Sequence, residues 1–280
     1  MTDRKTGYTT SDAVAKYINE RNHFGWRLRG ERAVKFAEIK KGDFVLDLCC
    51  GPGMVTKVIS EVVGLDGKVV GVDISDEFIK YARELCHEEN TSFIVGGVED
   101  LSMLVGDRKF DSVVLLASWF WIKNTEKLST GVKNCLKPDG RFVISLSSDN
   151  LNDSKTREFY WTYRENLKET VSNISPSTDL SYFDNLPVMD NSFINGVVSQ
   201  VAGCGFCLQS QNEVERQLTL EEKLFIYNNP ARTEWVGEFP PGKRLQIIKQ
   251  ALRKTASEVG DSIVIKRHTY YLVFGLDESA

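Results

Sequence analysis

Two apolar runs, one ending in a glycine turn and the next in an acid, constrain this chain more than any other feature. Val45-Leu46-Asp47-Leu48 runs into Cys49-Cys50-Gly51-Pro52-Gly53, and Val69-Val70-Gly71-Val72 runs into Asp73. Between them Val55, Val58, Ile59, Val62 and Val63 recur at i, i+3, i+4, i+7 and i+8, the spacing of one helix face. Strand, loop, helix and strand in that order build a parallel sheet through a right-handed crossover. The loop and the acid then share the carboxyl edge of that sheet, where such folds hold a nucleotide-type ligand.

The loop chemistry narrows the ligand. A dinucleotide loop needs a third glycine for close helix packing, and Thr56 stands where it would fall after Gly51 and Gly53. Asp47, at the loop's mouth, would repel a pyrophosphate but attract an ammonium group. S-adenosylmethionine (SAM) carries an ammonium and a ribose and no phosphate. The loop favours SAM over NAD.

These residues resemble the class I SAM-dependent methyltransferases, whose Asp-x-Gly-x-Gly-x-Gly loop is matched at Asp47, Gly51 and Gly53, with Cys49 in place of the first glycine. The resemblance implies that Asp73 binds the ribose hydroxyls and that Ile74 lies against the adenine. Val95-Gly96-Gly97-Val98-Glu99-Asp100-Leu101 matches the adenine-edge segment in part. Gly97 stands where many relatives have an aspartate, which passes the amino-group contact to Glu99 or Asp100 beside Val98. Phe110–Leu116 and Leu136–Ile144 match the fourth and fifth strands, so the likeness runs in order over about 42–147. It implies a Rossmann-like, seven-stranded, mostly parallel sheet with an antiparallel last strand, helices on both faces, and a helical cap insertion.

Composition sets the outer bounds. Net charge is −4, apolar content 41% and charged content 26%, ordinary values for a globular protein. Arg27, Arg29, Arg32 and Lys35 are the densest basic group, interleaved with Glu31 on a helix, which reads as a solvated face rather than a nucleic-acid footprint. No run approaches the ~20 apolar residues of a membrane span, and the amino terminus is polar, so a cytoplasmic protein is expected. Cys204-Gly205-Phe206-Cys207 has no second pair at metal spacing and reads as a tight turn entering a strand.

Along the chain, residues 1–40 read as a helical lid with helices at 11–22 and 28–39, the first capped by Ser11 or Asp12. Residues 41–148 form the SAM-binding core. Phe78, Tyr81, Ala82, Leu85 and Cys86 mark a second helix face, a helix lies near 123–136, and Pro138-Asp139-Gly140 reads as a turn. Residues 149–192 leave the alternating rhythm and read as the cap insertion, and 193–280 complete the sheet. The later elements are a helix ending at Ala202, a strand Phe206–Leu218, a short helix Leu220–Tyr227, a helix after Pro240-Pro241-Gly242 and a strand His268–Leu276.

Methyl transfer from a sulfonium chiefly requires that nucleophile and methyl be held in line and water excluded. Ala117 and Ser118 follow the fourth strand at the ligand edge, with Trp119 and Trp121 as an aromatic wall for the acceptor, against the alternative of plain packing. Tyr160 and Tyr163 form a second aromatic group, read equally as lid or anchor. His23 is the candidate general base, and Tyr8 and Tyr17 are candidates to close over the cofactor. Asp149-Asn150 resembles the metal-holding pair of magnesium-dependent catechol-type O-methyltransferases, but the acid that likeness requires after the fourth strand is replaced by Ala117-Ser118, so no metal is expected. The expectation is SAM-dependent methyl transfer to an oxygen or nitrogen of a small molecule, with S-adenosylhomocysteine as product. Methylation of RNA or protein, and SAM binding without methyl transfer, are the alternatives.

Overall fold

The computed structural model describes residues 14–19, 25–184, 191–226, 236, 239–260 and 262–277. Its seven strands are β1 (Phe44–Leu48), β2 (Lys68–Asp73), β3 (Thr91–Val95), β4 (Phe110–Leu116), β5 (Leu136–Asp149), β6 (Phe206–Thr219) and β7 (Val264–Leu276). They form one sheet in the order β3-β2-β1-β4-β5-β7-β6. The first five strands run parallel, and β7 lies antiparallel between β5 and β6. The order turns back between β1 and β4, so a crevice opens there outside the strands' carboxyl ends. That is the expected fold.

Eleven described helical segments surround the sheet: α1 (14–19), α2 (Trp26–Ala37), α3 (Met54–Val63), α4 (Asp76–Leu85), α5 (Leu101–Val105), α6 (Thr125–Cys135), α7 (Ser154–Ile174), α8 (Ser181–Asp184), α9 (Asn191–Ala202), α10 (Leu220–Ile226) and α11 (Pro241–Val259). The valine face of α3 buries Val55, Val58, Ile59 and Val63, while Val62 is 36% exposed at the edge of the stripe. On α4 the buried face is Phe78, Ile79 and Ala82, and the Ser75 side chain caps the helix by accepting from the Phe78 N–H. The proposed caps Ser11 and Asp12 lie outside the described residues.

The central strands are covered on both faces, while the edge strand β6 is largely exposed. One core joins Leu46, Leu48, Val113, Leu115, Phe142 and Ile144 to α6 and α9. The other joins Val45, Val69, Val114 and Val143 to α2 and α3. Burying a side chain of this size stabilises the fold by about 1.5–3 kcal/mol before chain entropy is set against it.

Two local readings change. The Lys137-Pro138-Asp139-Gly140 segment is not a turn before the fifth strand but a bulged excursion within it. Leu136 already pairs with Phe110, and the ladder resumes at Ser112↔Arg141. Strand β7 begins at Val264, earlier than His268, because Val264 to Arg267 extend the ladder against Thr219 to Arg216 of β6.

The segment after β5 does not stand alone. Phe159, Tyr163, Leu167 and Val171 repeat every four residues along α7 and pack with Ile247, Ile248, Ala251 and Leu252 of α11. Ile265 of β7 and Leu218 of β6 close this third core. Asp153 caps α7, accepting from the N–H and hydroxyl of Thr156, and binds Lys266 of β7 at 3.0 Å.

Candidate active site

The crevice between β1 and β4 is a cleft of about 430 Å³, including its open mouth. Asp47, Cys49, Cys50 and Pro52 supply one wall, and Leu116, Ala117 and Ser118 the wall opposite. Tyr17 of α1, Trp26 of α2, and Met54 and Val55 of α3 complete the lining. Asp47, Cys49, Ala117 and Ser118, nominated from sequence, are thus brought together. Met54, Trp26 and Leu116 were not nominated. Their one sequence signal is position, beside the loop, in the leading helices and at the end of the fourth strand.

The backbone around the cleft is unusual on both walls. Cys49 has φ 54° and Ala117 φ 55°, left-handed values for residues with a Cβ. Such conformations cost about 1–3 kcal/mol and persist only where the surroundings enforce them. At Ala117 the enforcement is visible: its N–H donates to both the carbonyl and the hydroxyl of Ser145, each at 3.1 Å. In the loop the Cys50 N–H bonds the Val72 carbonyl, which fastens the turn to β2. Gly53 takes φ 80°, and a Cβ there would lie 3.0 Å from Ala82 Cβ, so the glycine permits both the turn and the approach of α4.

Asp73, at the end of β2, accepts from the Gly51 N–H at 2.9 Å and from the Ser75 N–H at 2.9 Å. Burial pushes its carboxyl up, and the N–H groups of Ser75, Gly51 and Ile74 oppose that shift. Ile74 follows with its side chain 61% exposed on the open side. Asp47 is buried and accepts from the Thr56 hydroxyl at 2.6 Å. Burial pushes the Asp47 carboxyl up to about 7, against the Thr56 bond and with added repulsion from Asp73. The thiols of Cys49 and Cys50 are pushed up first by burial and then by Asp73, so they stay protonated.

The remaining nominated residues are dispersed. Val98 is buried in the core, Glu99 accepts from the Lys123 N–H at 3.1 Å, and Asp100 pairs with Lys127 at 2.6 Å on the surface. Trp119 is 4% exposed and packs into the sheet core, whereas Trp121 is 56% exposed beside Phe120. Tyr160 meets Trp161 edge-on at 5.2 Å, and Tyr163 is buried in the α7–α11 core. His23 and Tyr8 lie outside the described residues. Tyr17 reaches the cleft and packs on Phe78 with ring centroids 5.0 Å apart. Arg27 is paired to Glu61 and Glu31, which neutralises part of the basic helix face. Among the described residues no three His, Cys, Asp or Glu side chains group as metal ligands, and no helix is long and apolar enough to cross a membrane.

The sequence matches a methyltransferase-domain family over residues 39–183, more than half of the chain. The chain belongs to that family. A demethylmenaquinone methyltransferase of Staphylococcus carnosus is 31% identical over 144 residues, covering 50% of this chain and 56% of that protein. The match thus spans little more than half of that relative. A 2-phytyl-1,4-naphtoquinone methyltransferase of Nostoc is 27% identical over 185 residues, 60% of this chain and 77% of that protein. Among solved structures, the [4+2]-cyclase SpnF superposes with a TM-score of 0.55 at 12% identity, covering 90% of this chain and 81% of that one. At that identity the likeness speaks for the fold alone.

The residues present fit the family's cofactor. A methyltransferase with this loop binds SAM, which needs a carboxylate for its ammonium, an acid for its ribose and a backbone that can be approached closely. Asp47, Asp73 and the Gly51–Gly53 turn lie at one edge, two buried acids beside an approachable backbone, and a Cβ on Gly51 would meet little, its nearest neighbour being the Tyr17 hydroxyl at 4.0 Å.

Proposed function

We propose that this chain transfers a methyl group from SAM to a small bicyclic aromatic acceptor of the hydroquinone class. The observation that carries the reading is the buried carboxyl of Asp47 in a cleft at the sheet's switch point, on a chain of the methyltransferase family. The bicyclic ring is supported by the two relatives, whose names specify demethylmenaquinone and a 2-phytyl-1,4-naphtoquinone, and the reduced form by the need for a nucleophile that an electron-poor quinone ring lacks. The site of action in this reading is the cytoplasm.

When bound, SAM supplies a methyl group on a cationic sulfur, which a nucleophile displaces in line to leave a neutral thioether. Asp47 would receive the ammonium, and Asp73, which holds the loop through Gly51, would accept from the ribose hydroxyls. Ile74 would lie against the adenine, with Glu99 or Asp100 to meet its amino group. Tyr17 and Trp26 cover the cleft from the amino-terminal helices and exclude water. In this reading Trp121 offers exposed ring surface and Tyr160 a half-buried ring to the acceptor, Trp119 supports the cleft from the sheet core, and Tyr163 anchors α7 on α11. His23 remains the proposed proton acceptor.

The test is incubation with methyl-labelled SAM, a short-chain naphthohydroquinone and a cell extract separated into metabolites, RNA and protein. Label in the hydroquinone or the metabolite fraction supports the reading. Label confined to RNA or protein overturns the acceptor class, and failure to bind S-adenosylhomocysteine overturns the cofactor.

A further inference from the structure

Thr56 occupies the position that a dinucleotide loop gives to its third glycine, and it is fully buried. Unlike a glycine it brings a hydroxyl into the buried space beside β1. Its hydroxyl donates to Oδ2 of Asp47 at 2.6 Å, across nine residues, from the first turns of α3 back to β1. The ionisable groups coupled to Asp47 are Asp73 at the end of β2, the thiols of Cys49 and Cys50 in the loop and that of Cys86 after α4, and Tyr17 of α1 lines the same cleft. No lysine, arginine or histidine lines the cleft among the described residues. Among the described residues Asp47 is thus a buried carboxyl beside a second acid, with a neutral donor on one oxygen and no cation lining the cleft. Burying such a charge without a partner is expensive, so the group meets the cost by holding a proton until a cation arrives.

We propose that Thr56 is a positioning residue for the cofactor: its hydroxyl holds Oδ2 of Asp47, presents the other carboxyl oxygen to the ammonium of the cofactor's amino-acid end, and so makes cofactor binding a proton-releasing step. The inference rests on the SAM reading above. Its balance is simple. The Asp47 O–H bond breaks, the proton leaves to solvent, and the carboxylate pairs with the incoming ammonium, with no covalent change in the cofactor. The neutral form of Asp47 that this step starts from agrees with burial raising the carboxyl to about 7. Because the free protein binds the extra proton, affinity falls as pH drops below that value and levels off above it.

Calorimetry of S-adenosylhomocysteine binding, in paired buffers of different ionisation enthalpy, tests this. The wild type should release close to one proton per ligand at pH 6 and close to none at pH 8, with binding about tenfold tighter at pH 8. Thr56→Val keeps the volume and removes the donor. Its affinity at pH 7 should fall about five- to tenfold, and proton release should persist to higher pH, because the bond that favours the charged form is gone. Thr56→Ser should restore both affinity and pH midpoint, which a purely packing role for the methyl group would not do. A Thr56→Val protein with wild-type affinity and pH midpoint overturns the inference, as does a wild type that binds without releasing a proton. A wild type that binds no S-adenosylhomocysteine at any pH overturns the cofactor reading itself, a distinct result.

Discussion

The N–H of Gly51 donates to Oδ2 of Asp73 at 2.9 Å, tying the loop after β1 to the acid after β2 across 22 residues of sequence. The acid assigned to the ribose is therefore also a fastener of the loop that the rest of the cofactor meets. Asp73→Ala should weaken S-adenosylhomocysteine binding by about 1–3 kcal/mol, through lost charge-assisted hydrogen bonds and a loosened turn. Titration calorimetry checks it, and unchanged affinity would remove the ribose assignment.

Ala117 holds a left-handed backbone at the cleft wall, fixed by two hydrogen bonds to Ser145. A β-branched side chain is strongly disfavoured there. Ala117→Val should lower stability by about 1–3 kcal/mol and weaken cofactor binding, while Ala117→Gly should leave the melting temperature within a few degrees of wild type. Thermal melts with and without S-adenosylhomocysteine measure both. Equal melting of the valine and glycine variants would show that the conformation stores no strain.

Lys223 of α10 is 4% exposed and binds Oδ2 of Asp149, at the end of β5, at 2.5 Å. Burial alone would raise the Asp149 carboxyl, but Lys223 and Arg267 more than offset it and hold the group below its ordinary value. The stabilisation is therefore present above the unfolded carboxylate pKa of about 4 and is lost as pH falls through the lower folded value. Lys223→Met leaves a buried carboxylate short of its partner and should cost about 3–5 kcal/mol at pH 7. In acid that deficit should shrink, and the double variant Lys223→Met with Asp149→Leu should recover most of it. Urea melts at pH 7 and pH 3 decide the matter, and a deficit that grows in acid would contradict the sign.

Leu167 lies fully buried between α7 and α11. Leu167→Ala should destabilise the protein by about 2–5 kcal/mol through the cavity it leaves. The loss should appear in a single unfolding transition, since Ile265 of β7 belongs to both this core and the sheet. Two separated transitions would mean that the segment after β5 folds as an independent cap.

The central sheet was legible because its strands carry their own punctuation. Val45–Leu48 and Val69–Val72 are buried on both faces, and only a covered parallel strand reads as such a continuous apolar run. The loop acids were legible for a chemical reason, since Asp47 and Asp73 are polar residues at the ends of apolar strands. What was not legible is long-range. Nothing local to Tyr163 says whether its ring faces a ligand or a hydrophobic core, because the α11 residues of the core it joins, Ile248 and Leu252 among them, come far later in the chain. The same holds for Trp119 and Trp121, two residues apart in one short turn, one packed in the core and the other exposed. Thr56 was read only as a missing glycine. That its hydroxyl reaches Asp47 depends on how closely the first turns of α3 fold back over β1, which spacing alone does not reveal.

The place of β7 has a consequence for how the protein comes into being. Strand β7 sits between β5 and β6, yet it follows both in the chain. During synthesis β6 emerges without any pairing partner, and the outer edge of β5 waits open beside it. Both edges stay unsatisfied until Val264–Leu276 has left the ribosome, so the nascent chain carries two adhesive strand edges through that interval. A chain interrupted before Val264 would keep the cofactor loop and the acids intact and still fail, as an aggregating intermediate rather than a weakened binder.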